Sequence, residues 1–333
     1  MKILLTGCAG FIGSHVAEFL LIRGDWVVGL DIVNEFYDTK QKEYNLEILK
    51  KYPNFRFLKM DINQSFFHLL QGNPKLKLDT IDCVCHLAAY AGVLQSIEDP
   101  LAYVDSNIRG TVHLLKQCIN GGVDGEHIPF VYASSSSVYG KNTKVPFCEE
   151  DSIDMANSPY AVSKICDEIF SKMYNQLYGN PVIALRFFTV YGPRGRPDMA
   201  PYKFLKMIHN DEPLTRYGNG SSSRDYTYID DIVFGVVASM DKLMDLMRNG
   251  KGNFHQIYNL GNNYPVGLNK FIEICEKVVG KKANILELPN QTGDVPQTWA
   301  NIDKIQRDLG YQPTVELEEG LHRTYQWLVS YLN

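Results

Sequence analysis

Tyr160-Ala-Val-Ser-Lys164 sets a phenol and an ammonium four residues apart, which puts both on one face of a helix. A cation beside a phenol favours the phenolate and draws its pKa toward neutrality, so the pair is suited to act as a general base on a substrate hydroxyl. Upstream, a β-rich run ends in four serines, Ser134 to Ser137, and Ser158-Pro159 stands directly before the tyrosine. Near the start of the chain, Gly7-Cys-Ala-Gly10-Phe-Ile-Gly13 follows a short apolar run. The first glycine permits a tight turn and the second lets the backbone approach a pyrophosphate. The third allows close strand–helix packing, with the phosphates seated on the helix N-terminus. Asp31 is placed to accept hydrogen bonds from both ribose hydroxyls and to repel a 2′-phosphate, which selects NAD over NADP. Asp61-Ile62, closing a later apolar run, is placed to meet the adenine.

These groups lie far apart in sequence, so the fold has to gather them at the ends of its elements. Near-continuous apolar runs at 2–6, 26–31, 55–60, 81–88, 129–134 and 182–187 predict strands covered on both faces. Helical patterns near 11–23, 40–51, 64–71, 100–119 and 160–178 fall between them. This alternation predicts an α/β fold built on a doubly wound parallel sheet. After about residue 188 the pattern changes. Gly192-Pro193, Gly195, Arg196-Pro197 and the run from Gly218 to Ser223 mark loops, followed by helices near 231–247, 268–279 and 317–332. The predicted division is a cofactor domain over 1–187, with a returning segment of about 225–260, and a substrate domain over 188–224 and 261–333.

The composition suits such an architecture. The chain has 333 residues, 45% of them apolar and 21% charged, with a formal net charge of −5. These values exclude a disordered, collagen-like or small disulfide-stapled protein, and they give no basic surface for nucleic acid or an anionic membrane. No stretch reaches eighteen apolar residues, and His15 and Glu18 interrupt the first run, so neither a membrane span nor a signal peptide is expected. Seven scattered cysteines suit reduced thiols and a cytoplasmic location.

Taken together, the glycine motif, His86-Leu-Ala-Ala89, the serine run before Val138-Tyr139-Gly140 and Tyr160-x-x-x-Lys164 resemble the extended short-chain dehydrogenase/reductase superfamily over essentially the whole chain. The resemblance implies a Rossmann-like NAD domain with a smaller C-terminal α/β domain for a nucleotide sugar, and a homodimer paired through helices 100–119 and 160–178. It implies Ser135 as the catalytic partner of Tyr160 and Lys164. It also implies cofactor contacts from Gly7, Gly10, Phe11, Ile12, Gly13, Asp31, Asn34, Asp61, Ile62, Leu87, Ala88, Ala89, Ser106 and Phe188, besides Tyr160 and Lys164. No acidic residue lies between Ser135 and Tyr139, where the 4,6-dehydratases carry an Asp-Glu pair.

Three segments resemble the UDP-glucuronate 4-epimerases in particular: the run from Arg186 to Met199, the run from Asp31 to Asp38, and Ala91-Gly-Val93. The implied reaction is reversible C4 epimerisation of UDP-glucuronate and UDP-galacturonate through a 4-keto sugar. That intermediate is a β-keto acid, which loses CO2 unless its carboxylate is held in the plane of the ketone. Ser136, Ser137, Thr189 and Arg196 are the expected carboxylate contacts, since hydroxyls donate hydrogen bonds and arginine pairs a carboxylate bidentately. Arg224 matches the diphosphate position, Tyr217 an aromatic near the uracil, and Asp294 a residue near the nucleotide. Two other readings compete: a 4-epimerase of neutral UDP-hexoses, and a non-catalytic NAD-sensing regulator. No metal site is expected. Cys83-Val-Cys85-His86 reads as buried thiols on a strand. Asp230-Asp231 reads as a helix N-cap.

Overall fold

Ile3, Leu4 and Leu5 have no exposed surface at all, which requires helices on both faces of the strand they form. The computed structural model describes residues 1–64, 81–119, 121–122, 125–289 and 295–332. The predicted runs become parallel strands β1 (Lys2–Thr6), β2 (Trp26–Asp31), β3 (Phe55–Lys59), β4 (Cys83–His86), β5 (Phe130–Ser135) and β6 (Val182–Phe187). Further along come β7 (Thr189–Tyr191), β8 (Pro213–Tyr217), β9 (Ser223–Tyr228), β10 (His255–Leu260), β11 (Pro265–Gly267) and β12 (Asn284–Leu288). A seven-stranded sheet runs β10-β6-β5-β4-β1-β2-β3, with every pairing parallel. This is a Rossmann-like doubly wound sheet. Its order reverses between β1 and β4, and such a switch point opens a crevice at the carboxyl ends of the strands.

Two smaller sheets, β11-β9-β7 and β12-β8, stand beside the large one. The chain leaves the large sheet after β6, builds β7 to β9, and comes back through the helix Ile229–Arg248 to lay β10 against β6. That helix packs on the first helix, Phe11–Arg23. Residues 225–228 belong to β9 and so to a small sheet, although the helix after them lies on the large one.

The structure corrects several expected boundaries. The fourth strand is shorter than 81–88. Asp82 turns its carboxylate onto the Lys2 N–H, and beyond His86 the Ala88 N–H bonds the Thr6 hydroxyl in place of a ladder partner. The expected single helix over 100–119 is three pieces: α-helical Pro100–Tyr103, a π-turn Val104–Arg109, and α-helical Gly110–Cys118. Asn107 explains the widened turn. Its buried amide accepts from the Tyr90 N–H and donates to the Tyr90 carbonyl and to Ser163 Oγ, so it is drawn out of register. Asp230 and Asp231 are not the N-cap of their helix, since Tyr228 holds that position without a side-chain bond. Asp231 accepts from Thr314 and Val315 and ties down the C-terminal segment. Of the helix expected near 64–71, all but residue 64 lies outside the described residues.

Candidate active site

The glycine turn is fixed by contacts that exclude any side chain. Gly7 has φ +75°, and a Cβ there would lie 2.7 Å from the Ala88 nitrogen. A Cβ on Gly13 would lie 2.1 Å from the Gly7 carbonyl oxygen, so this glycine lets the first helix close onto the turn. On Gly10 the Cβ would approach the Gly7 oxygen at 3.2 Å and the Tyr37 hydroxyl at 3.8 Å, within a cradle open to the first cavity. The helix starting at Phe11 has no side-chain cap, which leaves its first N–H groups to a ligand. Asp31 ends β2 beside the turn, its two oxygens accepting from the Ala9 and Val33 N–H groups at 3.0 and 2.8 Å. A carboxylate has lone pairs beyond these two.

A cavity of about 300 Å³ opens over this turn. Gly7, Gly10, Asp31, Asn34, Asp61, Ile62, Leu87, Ala88, Ala89 and Ser106 all line it. Phe11, Ile12 and Gly13 shape the helix start behind it, and Phe188, in neither lining, packs near Tyr139 and against Phe147, which lines the second cavity. The sequence reading missed Phe36, Tyr37, Lys42 and Tyr90 in this lining. Lys42 donates to the Asn34 side chain and carbonyl and lies 4.4 Å from the Tyr37 ring centre. The spacing from Asn34 to Lys42 was a readable signal, because a lysine at the start of a helix can reach back across its entry loop.

Tyr160 is the second residue of the helix Pro159–Tyr178, whose N-cap Ser158 accepts from the Ala161 N–H at 3.1 Å. Its ring lies 6.0 Å from Tyr103, which lies 5.8 Å from Tyr90 in the cofactor cavity wall. Lys164 is buried one turn later and donates to Asp167 Oδ2 at 3.2 Å. Burial pushes Asp167 up to about 6, against the pull of Lys164. Ser135 closes β5, accepts from the Ser137 N–H and donates to Ser137 Oγ, both at 3.1 Å. Ser135, Tyr160 and Lys164 stand outside the lining of both cavities, whose walls include Ser136 and Ser137 in one and Tyr90 in the other. Underneath, His86 bridges Thr6 (2.7 Å) and Thr111 (3.1 Å), and burial with Lys164 nearby pushes its imidazole down to about 3. Cys83 and Cys85 are buried on the same strand. Among the described residues no cluster of histidine, cysteine or carboxylate side chains is arranged for a metal.

A second cavity of about 310 Å³ brings together Ser136, Ser137, Thr189, Arg196 and Arg224. Asp198 shares it and is the single carboxylate among its described lining residues. Arg224 donates to the Ser223 carbonyl at 2.8 Å. Tyr217 stands at the exposed end of β8, outside both linings, and Asp294 lies outside the described residues.

A family model described as GDP-mannose 4,6 dehydratase matches residues 4–324. A UDP-glucuronate 4-epimerase of Thermodesulfobacterium geofontis is 42% identical over 325 residues, spanning 97% of this chain and 95% of that protein. UDP-glucuronate 4-epimerase 4 of Arabidopsis thaliana is 42% identical over 340 residues, spanning 99% of this chain and 76% of its own length. Among solved structures, the UDP-glucuronic acid 4-epimerase of Bacillus cereus, in complex with UDP-glucuronic acid and NAD, superposes with a TM-score of 0.88. It is 37% identical, and the match covers 99% of this chain and all of that one.

Proposed function

The chain belongs to the family of the GDP-mannose 4,6-dehydratase model, within the extended short-chain dehydrogenase/reductases, and from that membership we propose that it is an NAD-dependent epimerase interconverting UDP-glucuronate and UDP-galacturonate at C4. The observation that carries this reading is the chemistry of the second cavity. Two arginines, two serines and two threonines line it with one carboxylate, a donor-rich surface matched to a diphosphate and a sugar carboxylate together. A dehydratase needs an acid and a base beside the sugar, and Ser136 and Ser137 offer hydroxyls only.

The first cavity fits NAD: Gly7 and Gly13 admit no Cβ, the uncapped helix start would hold a pyrophosphate, and Asp31 would accept from a ribose. When bound there, NAD supplies a reversible hydride acceptor at the sugar C4. Tyr160 removes the 4-hydroxyl proton and returns it, Lys164 contributes the positive charge that favours its phenolate, and Ser135 hydrogen-bonds the 4-oxygen. Ser136, Ser137, Thr189 and Arg196 hold the carboxylate of the 4-keto acid so that its C–C bond stays out of line with the carbonyl π system. Arg224 pairs the diphosphate, and Tyr217 and Asp294 serve the nucleotide end. In this reading residues 1–187, with a return over about 225–260, carry the cofactor, while 188–224 and 261–333 carry the sugar nucleotide.

The enzyme works as a homodimer in the cytoplasm. Leu101 (72% exposed), Val104, Val162, Ile169 and Leu177 present an apolar stripe on the two helices that pair in this arrangement, and all seven cysteines are free thiols. Among the described residues no helix is long and apolar enough to cross a membrane.

The test is a substrate panel on purified protein with product identification by NMR, without added NAD and with it. UDP-glucuronate and UDP-galacturonate should each drift to the same epimer ratio. Turnover confined to neutral UDP-hexoses, or no interconversion, sinks the proposal.

A further inference from the structure

A guanidinium offers two edges for bidentate pairing, Nε with Nη2 and Nη1 with Nη2. In Arg196 the first edge is filled: Nε donates to Asp198 Oδ1 at 3.0 Å and Nη2 to Asp198 Oδ2 at 2.6 Å. One flat face rests over the Phe36 ring, 5.3 Å from its centre. Nη1 makes no hydrogen bond among the described residues. The backbone that carries Arg196 is pinned as well, because buried Gln41 donates to the carbonyls of Arg194 and Gly195 at 2.6 and 2.8 Å. With one edge filled and one face covered, the guanidinium has little freedom to swing, and its second edge is left for another carboxylate.

We propose that Asp198 is a positioning residue that aims the Nη1–Nη2 edge of Arg196 at the sugar carboxylate, with Phe36 as the platform beneath it. This deepens the reading of the second cavity as a uronate site and rests on it. Arginine is long and flexible, and ordering it on each binding event costs affinity; a permanent partner removes that cost. Asp198 also repels an incoming anion, and Arg224 in the same cavity offsets that repulsion. A competing arrangement would have the substrate displace Asp198, which would make Asp198 an inhibitor of binding. The two arrangements predict opposite signs for its removal.

The consequence reaches the chemistry. In the 4-keto acid, breaking the C5–carboxylate bond releases CO2 and sends its electron pair to the C4 oxygen as an enolate, and C5 then takes up a proton. A carboxylate held by a loose arginine samples that geometry more often. Asp198→Ala should therefore raise KM for UDP-glucuronate by about tenfold or more, the loss of a charge-assisted contact, with a smaller effect on kcat. It should also release CO2 and a pentose nucleotide. Asp198→Glu should restore part of the KM. Asp198→Asn, close in shape, should fall between, and thermal melts show whether each variant is folded. Arg196→Ala is the parallel control. If wild type epimerises uronates and Arg196→Ala loses them while Asp198→Ala keeps wild-type KM and product, this inference alone fails. A lowered KM in Asp198→Ala overturns it in favour of displacement. If wild type leaves uronates untouched, the functional reading falls and this inference with it.

Discussion

In the proposed reaction, Tyr160, one residue inside a proline-started helix and backed by buried Lys164, ties proton transfer to a single hydroxyl. Tyr160→Phe removes that hydroxyl and leaves the ring's contact with Tyr103 in place, so the fold and the cofactor cavity should persist. Turnover should drop by about 10²- to 10⁴-fold, the usual worth of a positioned acid–base group. Protein-bound NAD, read by absorbance after denaturation, should match wild type, and near-full activity would remove Tyr160 from the chemistry. At this scale the sequence was most legible where chemistry imposes spacing. Gly7 and Gly13 stand where backbone crowding forbids any Cβ, Gly10 stands where one would fit only tightly, and Tyr160 with Lys164 stands one helical turn apart. Asp198 was not legible in its role. Two residues from Arg196 in a loop, it matched no periodicity, and its pairing depends on a local backbone turn. Gln41 was hidden for another reason: it reads as a polar helix residue, yet it is buried because its partners are carbonyls some 150 positions away.

One buried network joins the elements around the site. Arg186 on β6 is 2% exposed and donates to both oxygens of Glu168 on the Pro159–Tyr178 helix, at 2.9 and 2.8 Å. Ser134 on β5 donates to the same carboxylate at 2.6 Å. Arg186 also donates to the Tyr139 hydroxyl, which passes its own hydrogen to Asn259 of β10 at 2.6 Å. Four elements are thereby locked in register behind the serine run. Removing one partner strands a buried charge, so Glu168→Gln should cost about 3–5 kcal/mol of stability, measured as a lowered urea midpoint with an unchanged slope. A loss under about 1 kcal/mol would show that water or a relaxed side chain rescues the arginine. The strands were readable as apolar runs, but this network was not, because an arginine inside an apolar run gives no sign of its partner. The broken helix over 100–118 escaped for a related reason, since its π-turn follows from the bonds Asn107 makes to Tyr90, far from any local propensity.

Across the whole molecule, titration sets where the fold is strongest. Burial pushes His15 and His86 down to about 3 and His255 to about 4, so the native state leaves them neutral where the unfolded chain binds protons. Their contribution is complete above about pH 6.5 and is lost as pH falls toward 3. Burial pushes Asp167 and Asp225 up to about 6, which acts the other way and favours the folded state as pH falls from about 6 to 4. The histidine shifts are larger and begin at higher pH, so the denaturation midpoint should decline from pH 7 to pH 4. A flat or rising profile would mean that the carboxylates govern. The alternation of strands and helices was legible as far as β6, and a return of about 225–260 to the cofactor domain was expected, whereas the strands after residue 188 were not read; β10 among them pairs with β6 across some 70 residues. That crossing bears on how the protein is made. As the chain leaves the ribosome, β6 keeps one edge unpaired until residue 260 has emerged, and an open parallel edge is a template for wrong partners. The nascent sheet therefore cannot finish before β7, β8 and β9 have been translated, and the wall of the second cavity waits longer still, until β11, β12 and Thr298 have followed.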